Sequence, residues 1–138
     1  MTATSTARDR AIQRGAQIAA ADLADAGGAY TLEKVQVLLN DVSRQSVDKK
    51  IKAGELLAVP GPSNIRRYPV IQFNDDRTVV SGLKEVQAAL PGKSGWVVLN
   101  FLIHPEPRLG GQRPIDLLRQ GKTAEVVAAA KLVGAPGA

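Results

Sequence analysis

The sequence contains no cysteine and one histidine, and aromatic residues make up only 4% of its 138 positions. Without cysteine the chain has no disulfide, no thiolate metal site and no thiol nucleophile. One histidine cannot build a multi-histidine metal centre, and no nucleophile motif is present to complete a catalytic set. We therefore expect a protein that is not an enzyme and that uses no metal or other cofactor.

Long hydrophobic runs are absent as well. No apolar segment approaches the roughly 20 residues that a membrane-spanning helix needs. Charged residues at positions 8, 9, 10 and 14 stand where a secretory signal would be apolar. The sequence therefore predicts a cytoplasmic protein that does not contact a membrane.

Apolar residues nevertheless make up 44% of the chain. Because so few of them are aromatic, a core must be built from Ala, Val, Leu and Ile, which favours small helices. We predict a mainly α fold, in which a winged helix-turn-helix with a small β-hairpin precedes a C-terminal helical bundle domain.

The first part of the chain is predicted to be a tail followed by a lone helix. Residues 1–7 are rich in Thr, Ser and Ala and are predicted to be disordered. Over residues 8–28, Ile12, Ala16, Ala19 and Leu23 recur at helical spacing, and Gly27-Gly28 ends the pattern. Such a narrow apolar face indicates either self-association or packing on the rest of the same chain.

Residues 29–73 carry the pattern of two short helices and a hairpin. Thr31 and Ser43 are placed to cap the helices, which are separated by a turn at 40–42. A strand at 56–59, a turn at 60–64 and a returning strand at 65–68 follow. Residues 30–73 resemble the winged helix-turn-helix of excisionase and MerR-type DNA-binding proteins. The alternative is a small helical bundle with a solvated basic face.

Positive charge is concentrated in the same part. The net charge is +5, and between residues 43 and 67 six bases face two acids. At the start of the second helix we predict base-reading residues, and elsewhere we predict phosphate contacts. The first set is Arg44, Gln45, Ser46 and Lys49; the second is Lys50, Lys52, Arg66 and Arg67. Double-stranded DNA is the predicted partner, which would place the protein at the nucleoid.

The C-terminal part contains a patterned run of helices. An apolar helix over 95–103 carries the only Trp, and a Pro/Gly-rich elbow spans 105–113. Pro114 is at a first helical position, Gly121 at a helix end, and Thr123 at the cap of the next helix. His104 ends an apolar helix and is interpreted as structural rather than catalytic. Residues 134–138 are predicted to be a flexible tail.

The order Trp96, Leu102, His104-Pro105, Leu109-Gly110-Gly111, Arg113-Pro114, Leu117-Leu118 and Gly121 resembles the toxin-binding domain of Xre/MbcA/ParS-type antitoxins. The resemblance covers residues 80–133. It implies a helical domain that binds a toxin, typically a RES-type enzyme that depletes NAD. It also implies that the end of the domain approaches the toxin, so the partner-binding candidates are Arg113, Arg119, Lys131 and Leu132. Arg113 could instead tie down the elbow by bonding carbonyls.

The sequence thus predicts a DNA-binding antitoxin of a type II toxin–antitoxin system, which represses its own promoter and neutralises a toxin. The alternative is a stand-alone DNA-binding transcriptional regulator or DNA-organising protein whose C-terminal domain self-assembles. A homodimer or higher homo-oligomer is expected, because helix-turn-helix proteins usually read paired half-sites.

Overall fold

The computed structural model describes residues 6–91 and 94–133, which form seven α-helices and a three-stranded antiparallel sheet. The helices are α1 (Ala7–Asp25), α2 (Leu32–Leu38), α3 (Arg44–Lys52), α4 (Leu83–Ala89), α5 (Gly95–Ile103), α6 (Pro114–Arg119) and α7 (Thr123–Lys131). The strands are β1 (Ala29–Tyr30), β2 (Val59–Pro60) and β3 (Arg66–Pro69), in the order β1-β3-β2. The predicted mainly helical class with a small β-structure is confirmed.

Helix α1 begins earlier than the sequence pattern indicated. The Thr6 hydroxyl accepts a hydrogen bond from the Asp9 amide at 3.1 Å, and the Asp9 carboxylate accepts one from the Thr6 amide at 3.3 Å. This capping box fixes the first turn of α1. Thr6 and Ala7 therefore belong to the start of the helix, and the predicted tail over 1–7 extended two residues too far. Residues 1–5 and the predicted tail at 134–138 lie outside the described residues. The helix ends, as predicted, before Gly27 and Gly28, both of which have positive φ.

The paired helices α2 and α3 form as predicted. The Thr31 hydroxyl accepts from the Lys34 amide, and the Ser43 hydroxyl accepts from the Ser46 amide. Between the helices the chain reverses through Asn40 and Asp41, whose φ values are +68° and +59°. Short polar side chains tolerate this left-handed conformation, which explains the tight turn.

The small sheet differs from the prediction. Strand β2 begins at Val59 rather than at residue 56. The Gln72 side chain accepts from the Leu57 amide at 2.7 Å and donates to the Leu57 carbonyl at 2.8 Å. At Leu57 this side-chain amide therefore makes the two hydrogen bonds that the backbone of a neighbouring strand would otherwise make. Strand β1 was not predicted: it is two residues long, and its Tyr30 lies opposite Tyr68 in β3.

Two groups of buried residues stabilise the fold. The smaller consists of Val35, Val47, Leu56 and Tyr68. The larger is centred on α4, α5, α6 and α7, and it also includes Ala26, Leu57 and Val59 from the first half of the chain. Because these three residues join the larger core, the two halves pack against each other continuously.

Helix α5 packs against α1, α6 and β2. Its first residue must be small, because a Cβ at Gly95 would lie 2.1 Å from the Ala58 carbonyl oxygen. One edge of α5 is not covered: Val97 is 39% exposed and Asn100 is exposed. That edge faces α1.

The boundaries of the last helices are mostly as predicted. Gly110 and Gly111 have positive φ in the elbow, and Pro114 is the first residue of α6. The predicted cap at Thr123 is wrong: Lys122 holds the cap position, and Thr123 is the first residue of α7. The Thr123 side chain instead lies against Gly82 at the start of α4, within 3.0 Å of where a Cβ would be.

Candidate functional site

The exposed face of α3 is polar and largely basic. With about 100° between successive residues, Val47 and Ile51 point toward the smaller core, and Gln45 and Lys49 point away from it. Val47 is fully buried, whereas Gln45 and Lys49 are exposed. Ser46 is half-buried, and its amide is used by the Ser43 cap. The predicted base-reading residues therefore lie at the exposed start of α3, apart from Ser46.

The hairpin formed by β2 and β3 lies beside the start of α3. Arg66 in β3 donates a hydrogen bond to the Asp48 carboxylate of α3 at 2.9 Å. A cleft of about 580 Å³ separates the two elements. It is lined on one side by Arg44 and Asp48 of α3 and by Glu33 of α2, and on the other by Asn64, Ile65, Arg66 and Arg67. The fold thus brings together bases that are more than twenty positions apart in sequence.

Tyr68 lies beneath this cleft and responds to its charges. Burial raises the pKa of the Tyr68 hydroxyl above its ordinary value, while the nearby Arg66 and Arg44 guanidinium groups partly oppose this rise. Both cations favour the ionised phenol.

Most of the cations here are available to a ligand. Within residues 6–91 and 94–133, Arg44, Lys49 and Arg67 form no ion pair. The Arg66–Asp48 pair is roughly half exposed, at 52% and 43%. Surface pairs of this kind contribute about 0–1 kcal/mol, so a phosphate can replace Asp48 at little cost.

Lys50 and Lys52 do not share this cleft. Lys50 is half-buried and lines a different groove, together with Glu55. Lys52 borders a third groove, which it shares with Lys84 and Gln87 of α4. The eight predicted DNA contacts are therefore spread around α3 and the hairpin, and of these Arg44, Arg66 and Arg67 line the cleft.

The hairpin tip adds a feature that the sequence reading missed. Ser63 and Asn64 adopt positive φ, and the next residue, Ile65, is 55% exposed. An aliphatic side chain at the tip of a basic hairpin is of the kind that DNA-binding proteins place against the floor of a DNA groove. The sequence feature that could have indicated this exposed side chain is an isoleucine directly after a Pro/Gly-rich turn.

The C-terminal candidates do not form one cluster. Arg113 makes two hydrogen bonds to the Asp116 carboxylate, at 3.0 and 3.1 Å, and these bonds raise the pKa of its guanidinium. The expectation that Arg113 bonds elbow carbonyls is therefore wrong. Arg119 donates to the Ile71 carbonyl instead. Lys131 and Leu132 are exposed at the end of α7, where Leu132 borders a groove beside the elbow.

His104 joins the end of α5 to α1. It follows α5, and its Nε2 lies 2.9 Å from the Asp22 carboxylate of α1. Asn100 donates to the other oxygen of the same carboxylate at 3.0 Å. Asp22 is 3% exposed, so this network holds α1 to α5 through a buried acid.

Among the described residues there is no group of three or more His, Asp or Glu side chains arranged to hold a metal ion. None of the helices over residues 6–91 and 94–133 combines the length and the apolar character needed to cross a membrane. No protein-family model matches the chain, and no significant match is found among curated proteins or solved structures.

Proposed function

We propose that the chain is a DNA-binding antitoxin that represses its own promoter through α3 and the hairpin and neutralises a toxin through its C-terminal part. One observation carries the DNA-binding proposal: the exposed start of α3 and a hairpin with two arginines border one cleft, and most of their cations are unpaired within the described residues. A polyanion is the ligand that such a surface fits.

In this proposal α2, α3 and the hairpin act as a winged helix-turn-helix. Helix α3 enters the major groove, where Arg44 bonds guanine and Gln45 bonds adenine. Lys49 extends the same contact, and Ser46 is limited to the edge of the interface because it is half-buried. Arg66 and Arg67 bind phosphates from the hairpin. Lys50 and Lys52 reach phosphates on the flanks of α3.

The toxin proposal depends on the family resemblance of residues 80–133. The exposed end of α7 offers Lys131 and Leu132, and Leu132 is 45% exposed beside a groove with both apolar and charged lining residues. Arg113 and Arg119 would have to exchange their present contacts for toxin contacts. We infer that the α7 end makes the first contact, and that a RES-type enzyme is the partner class to test.

Fluorescence anisotropy with promoter DNA and with random DNA tests the DNA-binding proposal. Arg44→Ala should lower affinity mainly for the promoter, by roughly 1–3 kcal/mol, because it removes a base contact. Arg67→Ala should weaken binding to both DNAs alike and reduce the salt dependence, because it removes a phosphate contact.

Lys131→Ala is the matched control, since it removes an exposed cation far from α3 along the chain and should leave both affinities unchanged. Equal losses on both DNAs for Arg44→Ala and Arg67→Ala would contradict the division between base reading and phosphate binding. If neither DNA bound at low salt, the DNA-binding proposal itself would be wrong.

Capture of the tagged protein from its host, with and without nuclease, tests the toxin proposal. A stoichiometric small partner that survives nuclease supports the antitoxin. Recovery of DNA and copies of the same chain alone favours the alternative, a transcriptional regulator or DNA-organising protein that self-assembles.

A further inference from the structure

The tip of the hairpin between β2 and β3 has a fixed backbone. The Gly61 amide donates to the Ile65 carbonyl at 2.8 Å, and the Ile65 amide donates to the Pro62 carbonyl at 3.1 Å. Both backbone groups of Ile65 are therefore bonded inside the turn. Position 61 must be glycine, because a Cβ there would lie 2.7 Å from the Ile65 carbonyl oxygen. The turn thus holds the backbone of Ile65 in place while its side chain stays exposed.

The same tip keeps an unfavourable backbone conformation. Ser63 and Asn64 have φ values of +57° and +59°, in the left-handed region that residues with a side chain seldom adopt. Neither core requires this conformation, because residues 62–65 contribute to neither. Backbone strain that packing does not explain is concentrated at binding sites. Its result here is a turn from which the Ile65 side chain projects, 55% exposed.

Ile65 differs from the other exposed apolar side chains. Five of the six large ones among the described residues lie on a helix or at its end, where a single exposed aliphatic residue needs no explanation. Ile65 lies instead in a turn, lines the cleft together with Arg44, and is followed directly by Arg66 and Arg67. Its branched Cβ restricts χ1, so a stiff apolar side chain stands on a fixed backbone.

The charges around Ile65 favour a polyanion. No Asp or Glu occurs between positions 56 and 74, so the only charged residues of the hairpin are Arg66 and Arg67. The acids that line the cleft belong to α2 and α3, on the side opposite the hairpin. Arg66 and Arg67 can therefore bind phosphates beside the point where Ile65 meets a duplex.

We propose that Ile65 acts as a wedge, which enters the minor groove, partly separates two stacked base pairs and bends the DNA. The inference rests on the proposed DNA-binding function and adds a deformation of the duplex to it. Apolar side chains inserted between base pairs unstack them and kink the duplex toward the major groove. Contacts between the two arginines and the phosphates offset the cost of unstacking.

The wedge also defines the class of DNA that the protein prefers. Pyrimidine–purine steps such as TA and CA unstack easily, whereas A-tracts are stiff. We expect the preferred duplex to carry a flexible step where the hairpin tip meets it, beside the bases that α3 contacts. This preference involves no hydrogen bond to a base, so it is separate from the reading of bases by Arg44 and Gln45.

Energy transfer between dyes at the two ends of a promoter duplex of about 30 base pairs measures the bend. Binding of the natural chain should raise the transfer above that of free DNA. Ile65→Ala should bind and leave the transfer unchanged, because a methyl group is too short to separate base pairs, whereas Ile65→Leu should keep most of the bend. Ile18→Ala is the matched control: it makes the same substitution at an isoleucine of α1 that is 54% exposed, and it should bend the DNA as the natural chain does.

2-Aminopurine at successive positions of the same duplex locates the unstacked step. Its fluorescence rises when the base loses its stacking, so the natural chain should raise the signal at one step and Ile65→Ala at none. Replacing a TA or CA step there by AA should weaken binding of the natural chain several-fold and binding of Ile65→Ala much less. Far-UV circular dichroism checks that every variant is folded.

DNA binding and DNA bending fail in different measurements. If neither promoter nor random DNA bound at low salt in the anisotropy titration, the proposed function and the wedge would both be wrong. If the natural chain bound the promoter and left it straight, or if Ile65→Ala bent it equally, the wedge alone would be overturned. The hairpin would then contact phosphates only.

Discussion

The region of α2, α3 and the sheet differs from the region of α4 to α7 in how it uses charge. In the first region, Arg44, Lys49 and Arg67 have no ion pair among the described residues. In the second, the three arginines are bonded within the chain, Arg108 to Glu106, Arg113 to Asp116, and Arg119 to the Ile71 carbonyl. Its lysines at 84, 122 and 131 form no ion pair among the described residues. The two regions therefore differ in how their arginines are used, and not in whether their lysines are paired.

The same two regions differ in their cores. Four buried residues stabilise the first, whereas the second shares a larger apolar core with Leu57 and Val59. The region of α2, α3 and the sheet is thus supported partly by the region of α4 to α7. This predicts that damage to the larger core affects both.

The largest effect should come from the larger core. Leu99 is fully buried, so Leu99→Ala should lower the free energy of unfolding by about 2–5 kcal/mol. Val47→Ala in the smaller core should cost less, because it removes fewer carbon atoms. Urea unfolding followed by Trp96 fluorescence and by far-UV circular dichroism measures both losses.

Because the larger core is continuous with both halves, the two signals should change together in each variant. Separate transitions would show that the two halves unfold independently, which would contradict a core that is continuous with both.

A smaller loss should follow Asp22→Asn. The substitution keeps the shape of the side chain but removes the charge paired with His104, and it should cost about 1–3 kcal/mol. Asp25→Asn is the control on an exposed acid of the same helix, and its effect should stay within about 0.5 kcal/mol. Thermal unfolding at neutral pH measures the difference, and equal stabilities would contradict a structural role for Asp22.

The smallest effect should come from Asp48→Asn. The substitution frees Arg66 and removes a negative charge beside the cleft, so DNA affinity should rise by up to about 1 kcal/mol at low salt. Asp116→Asn frees Arg113 in the other region and should leave DNA affinity unchanged. Anisotropy titrations at two salt concentrations compare the variants. An equal gain from both would mean that total charge, and not its position, controls binding.

Local chemistry explains which features could be predicted from sequence. The caps at Thr31 and Ser43 and the glycines that end α1 and shape the elbow depend on residues only a few positions away, and the structure confirms them. The Asp22–His104 contact joins residues 82 positions apart, and nothing local indicates it. Strand β1 is too short to show a pattern and exists because β3 is available to pair with it.

The candidate DNA surface shows the same limit. The sequence located the bases of α3 and the hairpin, but it did not show that Asp48 pairs with Arg66 or that Lys50 and Lys52 lie away from the cleft. The direction in which each side chain of α3 points depends on how Val47 packs against residues that are distant in sequence. Side-chain position on α3 therefore needed the tertiary structure.

The Gln72 side chain has a consequence for how this protein can vary. By bonding both backbone groups of Leu57, it closes the intervening segment into a ring whose base is buried. The hairpin tip, residues 62–65, lies within that ring but contributes no residue to either core, so substitutions there leave both cores in place. The tip can therefore vary by itself, whereas the strands that carry it supply Val59 to the larger core and Tyr68 to the smaller one and must keep those residues.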